Sequence, residues 1–155
     1  VPVFEQPENC VDILTPERQA AFEADGLDLL GGPGGTYGGE YFAEDTAEER
    51  AGGITCVWGD EAVLATTVVI SAAPVTTATR SGIVSDLIAQ GLIESQIDGA
   101  LTYAQIGDST STQATLNVIR TDSWISVIEA VGGEERFQRA TELVDEVTEL
   151  VYVEP

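Results

Sequence analysis

The stretch ITCVWGDEAVLATTVVI at residues 54–70 decides the fold class. Within 54–60, Ile54, Cys56 and Trp58 alternate with Thr55 and Val57; within 64–70, Leu64, Thr66, Val68 and Ile70 alternate with Ala65, Thr67 and Val69. A period of two in β-branched and aromatic residues is that of a strand with one buried face, and residues 59–61 supply a turn between two such strands. Residues 101–106 and 114–120 repeat the strand signature on either side of the turn-rich GDSTST. Residues 124–130 read two ways. Trp124, Val127, Ile128 and Val131 fit a helical face, whereas the β-branched content and the preceding TDS turn favour a hairpin partner strand, the reading adopted here.

Helices flank these strands. Thr15 is a good N-cap with Pro16 at the first helical position and Glu17 complementing the dipole; Ala20, Ala21, Ala24 and Leu27 follow, and Gly26 ends the segment near Asp25. After Pro74 and TTATRSG break the second strand, Ile83, Val84, Leu87, Ile88 and Leu92 fall at helical spacing, with Gly91 near the end. Gly132 and Gly133 precede a last helix in which Phe137, Ala140, Val144, Val147 and Val151 form the apolar stripe, and Glu135, Glu142, Glu146 and Glu149 the wet face. The expectation is an α+β domain spanning 1–155, a mostly antiparallel sheet with helices packed on one face. An internal helix-strand-strand repeat is suggested by AFEADGLDLL (21–30) against DLIAQGLIES (86–95), and by CVWGD (56–60) against AQIGD (104–108). Residues 1–14 read as an N-terminal arm. Residues 31–53, with eight glycines and no period outside 44–50, read as a long loop and the first place to look for a site.

The charge balance excludes whole classes of function. Six arginines and no lysine stand against 27 acidic residues in 155, a formal charge of −21. Such a surface repels phosphate backbones, so no nucleic acid is expected as partner, and no apolar run is long enough to span a membrane. The absence of histidine and lysine removes Ser-His-Asp, Cys-His and Ser-Lys catalysis, Schiff bases and histidine-ligated metals. No glycine stretch matches a nucleotide-binding motif. A carboxylate pair remains chemically available, as in glycoside hydrolysis, but with so many acids the signal has almost no specificity.

Cys10 and Cys56 are too few for a structural zinc site and are expected to pair as a disulfide, closing a loop of about 46 residues worth roughly 4 kcal/mol in the chain-entropy model. The alternative is two unrelated buried thiols. A first residue other than methionine is read as a processed secretory chain or a trimmed one. Asp25, Asp28, Glu40, Glu44 and Asp45 are candidate oxygen ligands for calcium, although no EF-hand spacing is present. Tyr37, Tyr41 and Phe42, three of ten aromatics, are candidate partner-binding residues. The alternative for Tyr41 and Phe42 is a lid folded back on the core, while Trp58 and Trp124 are expected in the core.

An early cysteine ahead of the first helix, Cys56 in a Cys-x-Trp strand, and RTDSWISVIEAVGG before the last helix together resemble secreted or lipid-anchored cell-envelope proteins of actinobacteria. The glycine loop lies outside this likeness, and no lipobox precedes Cys10. The resemblance implies an exported α+β domain and no catalytic residue. The functional expectation is an exported, non-enzymatic envelope protein that binds a protein partner or assembles as a homo-oligomer, through loop 31–53 and the arm. The alternatives are a carboxylate-dependent hydrolase of envelope polysaccharide and a small-ligand or calcium-binding module.

Overall fold

The computed structural model describes all 155 residues. In chain order the elements are β1 (Val3–Phe4), α1 (Pro16–Ala24), β2 (Asp28–Gly31), α2 (Ala47–Arg50), β3 (Ile54–Asp60), β4 (Val63–Pro74), α3 (Thr77–Ala89), β5 (Ile93–Ile97), β6 (Ala100–Gln105), β7 (Ala114–Ile119), β8 (Ser123–Glu129), α4 (Glu134–Val151) and β9 (Tyr152–Val153). Seven strands form one antiparallel sheet in the order β2-β3-β4-β8-β7-β6-β5, and β1 pairs with β9 in a small second sheet. The fold is α+β with a mostly antiparallel sheet, as the alternating stretches imply. The 124–130 segment is strand β8, at the centre of the sheet.

Alternation within the strands sends side chains to two faces, and each face has its own core. On the front, Cys56, Trp58, Val68, Ile70, Leu116, Val118, Ile125 and Val127 meet Phe22 of α1 and Ala140, Leu143, Val144, Val147 and Val151 of α4. On the back, Ala73, Tyr103, Ile119 and Trp124 meet Ile83 and Leu87 of α3. Layering on one face therefore holds for α1 and α4, while α2 and α3 lie against the opposite face. The reason is visible in the strands: β4, β7 and β8 are buried along nearly their whole central length, on both sides, so both sides need a cover.

Charge is also used inside. Glu129, at the end of β8, is fully buried on the front face and takes both bonds of the Arg139 guanidinium at 2.6 Å, with Arg136 at 3.5 Å. Arg139 in turn lies over the Phe22 ring, and Arg18 of α1 bridges to Glu146 of α4 at 2.6 Å. The disulfide Cys10–Cys56 is formed and buried, tying the N-terminal segment to β3. That segment is not a free arm. Glu5 donates its N–H to Val151, and Ile13 and Leu14 are buried.

Two corrections to the sequence reading bear on the site. TTATRSG does not merely end a strand: Thr76 caps α3 in a reciprocal box with Thr79, so the helix begins six residues before Ile83. Two short strands, β2 and β5, also follow α1 and α3 in stretches that were assigned no element from the sequence, and they are the two edges of the sheet. The repeat is present in part. Both α1 and α3 end ahead of a glycine at positive φ (Gly26 at 78°, Gly91 at 80°) and lead into an edge strand. The CVWGD and AQIGD match falls out of register, because Leu29 of β2 faces Trp58 whereas its counterpart Glu94 faces Tyr103 rather than Ile106.

Candidate contact face

The back face carries the features that set this molecule apart from a plain sheet with helices. Along one line across it stand Thr55, Ser71, Ser126, Asn117, Tyr103 and Glu94, each opposite the next on the adjoining strand. Polar side chains so placed need partners, and the structure supplies them. Thr55 bonds Ser71 at 2.8 Å and Thr46 at 2.6 Å; Trp124 donates its indole N–H to Asn117 Oδ1 at 3.0 Å, Asn117 donates to the Tyr103 carbonyl, and Tyr103 donates its hydroxyl to Glu94 at 2.6 Å.

Ser126 donates to the Glu48 carboxyl at 2.5 Å. Glu48 belongs to α2, a single turn capped by a reciprocal box between Thr46 and Glu49, and its side chain is pressed into the sheet. Burial pushes the Glu48 carboxyl above the usual range, with the bond from Ser126 opposing that rise. A glutamate within AEDTAEER looks like surface charge, so Glu48 was not singled out from its type. The usable signals were the Thr46 to Glu49 spacing and a row of Thr and Ser at alternating strand positions that had to be satisfied from above.

Beside α2 a cleft of about 550 Å³ separates it from α3. Its floor is Trp124, its walls are Ala47 and Ala51 on one side and Gly82, Ile83 and Leu87 on the other, and Arg50 and Asp86 also line it. On the other side of α2 lie the loop aromatics. Tyr41 lies so close over Gly31 that a Cβ on Gly31 would come within 2.8 Å of the Tyr41 Cβ, and within 3.1 Å of Val57. Tyr37 and Phe42 flank it, with ring centroids 6.4 and 5.1 Å away. Tyr37 donates its hydroxyl to Glu61 in the β3–β4 turn, which raises its pKa. So the loop residues divide: Tyr41 is folded back on the sheet, and Tyr37 and Phe42 are exposed by 47% and 37%.

The candidate calcium ligands are not brought together. Asp25 follows α1, Asp28 begins β2, and Glu40, Glu44 and Asp45 are spread through the loop; no group of three or more acidic, cysteine or histidine side chains in the chain has the arrangement to hold a metal ion. The two buried carboxylates, Glu48 and Glu129, lie on opposite faces of the sheet, one bonded to a serine and the other to two arginines. They share no cavity in which one acid and one base would flank a substrate bond.

No helix is long and apolar enough to cross a membrane. Compared with protein-family models, with curated proteins and with solved structures, the chain matches none.

Proposed function

We propose that this chain is an exported, non-enzymatic protein of the cell envelope that binds a protein partner through its back face, with Tyr37 and Phe42 as the contact residues. The observation that carries this reading is the row of Tyr37, Tyr41 and Phe42: Tyr41 lies close over Gly31 with two exposed rings flanking it. Rigid aromatics bring large contact area at low entropic cost, and such residues dominate binding energy at interfaces. The buried disulfide supports an oxidising compartment. The separation of Glu48 from Glu129 favours binding over carboxylate hydrolysis.

A Tyr37→Ala, Phe42→Ala double variant tests the reading, because both side chains are exposed and the fold does not depend on them. Wild-type protein immobilised on beads is expected to retain a defined partner from a cell-envelope extract, and the double variant is expected to lose it while keeping its melting temperature. Equal retention by both proteins would overturn the assignment of this surface.

A further inference from the structure

The two edges of the main sheet are not treated alike. At the β2 edge the chain covers itself: Thr36 and Tyr37 donate their N–H groups to the carbonyls of Leu29 and Leu30. At the other edge, β5 pairs with β6 and with nothing beyond it. All five of its residues are exposed, including Ile93 at 73% and Ile97 at 58%. Natural sheets blunt such edges with charged side chains, lysine above all, with proline, with bulges or with a covering segment. IESQI has no lysine, proline, bulge or cover, and its single charge, Glu94, accepts the Tyr103 hydroxyl on the back face.

We propose that β5 is the docking edge for β5 of a second copy of this chain, joining two seven-stranded sheets into one of fourteen about a two-fold axis at Ser95. The register follows from the hairpin. β5 and β6 are joined by Asp98 and Gly99, both at positive φ, the two-residue turn whose flanking pair exchanges both backbone bonds. Ile97, Ser95 and Ile93 thus spend their bonding groups on β6, and Glu94 and Gln96 turn theirs outward. An antiparallel partner must match outward groups with outward groups, which leaves three symmetric registers. Centred on Glu94, the two Glu94 carboxylates face each other. Centred on Gln96, Glu94 faces Asp98 of the other copy. Centred on Ser95, Glu94 faces Gln96, an acceptor opposite an amide donor, and on the front face Ile93 meets Ile97 at both ends of a Ser95 pair. Only this last register has no opposed carboxylates, and it also covers four exposed isoleucines.

This surface is at the far edge of the sheet from Tyr37 and Phe42, so the two proposals stand or fall separately. The charge of −21 on each copy opposes association, and added salt relieves it as the screening length shrinks from about 30 Å at 0.01 M to about 8 Å at 0.15 M.

The test is light-scattering mass across protein concentration in 0.15 M salt, with amide exchange. A mass approaching twice 16.3 kDa is expected, with amides of Glu94 and Gln96 slowing as the dimer forms. Gln96→Glu puts two glutamate pairs face to face and is expected to raise the dimer Kd about tenfold; Gln96→Lys replaces them with opposite charges and is expected to lower it by a similar factor. Tyr37→Ala with Phe42→Ala is expected to leave the mass unchanged. A monomer at every concentration, or a dimer that ignores both Gln96 variants, would overturn the proposal.

Discussion

The β2 and β5 edges begin from the same local plan, a helix ended by a positive-φ glycine and followed by a short strand, yet one is closed and the other open. What separates them is what comes next. After β5 the chain turns back through two residues into β6, whereas after β2 it spends 22 residues before β3, long enough to fold over its own strand. Closing an edge therefore takes chain length and residues that tolerate crowding. Gly32 illustrates the second requirement: it sits at φ 95°, against the Thr55 carbonyl and 2.7 Å, measured from where a Cβ would be, from the Cys10 sulfur. Gly31 and Gly35 also lie where an added Cβ would come within 3 Å of a neighbour, so glycine serves close packing at the root of the cover.

Removing the disulfide is expected to disturb the closed edge most. Cys10 donates its N–H to Pro33 in the cover and Cys56 lies on β3 beside β2, so the bond anchors the closed edge. Cys10→Ser with Cys56→Ser is expected to cost about 4 kcal/mol in chemical denaturation. Amide exchange in β2 and the cover should rise well before that in β5. A smaller break, about 2 kcal/mol, is expected from Gly31→Val, which drives a side chain into Tyr41 and Val57. Tyr41 should then lose its packing and its near-ultraviolet dichroism, with β5 untouched.

The same asymmetry extends to pH. Glu48 holds α2 next to the covered edge, and its buried carboxyl keeps its proton more tightly than in the unfolded chain. A group with a raised native pKa stabilises fully below its ordinary value and loses that contribution as pH rises through the native value. The α2 side is thus expected to loosen on going from acid towards neutral pH, with a slope no steeper than about 1.4 kcal/mol per pH unit. Glu48→Gln keeps the shape and removes the titration, so it should flatten the stability profile. A slope identical to wild type would mean that Glu48 does not set it.

How much of this was legible in sequence follows from the same physics. β3, β4, β6 and β7 were readable because each buries at least one face and so repeats with period two. DLLG and IESQI were not, since edge strands are short and their outward residues answer to solvent rather than to a core. The aromatic residues of the loop were found by type alone. Their division into one anchored ring and two exposed ones was invisible, because it depends on Gly31 lying beneath Tyr41. Glu48 was missed for the opposite reason: its partners Ser126 and Ser71 come from strands distant in sequence.

On the open side the smallest effect is expected at Tyr103. Tyr103 is fully buried in β6 and its hydroxyl, pushed up to about 12 by burial and the bond to Glu94, remains a donor throughout the physiological range. Glu94 is thereby the one β5 side chain tied to the body of the sheet. Tyr103→Phe removes that tie and nothing else, and is expected to cost about 1 kcal/mol, or roughly 2–4 °C in melting temperature. If the edges are independent, exchange should quicken in β5 alone while β2 and its cover keep their wild-type rates. Equal quickening at both ends would mean that the seven strands open as one unit. In that case the cover over β2 would add no local stability, and closure of that edge would serve only to keep other chains away from it.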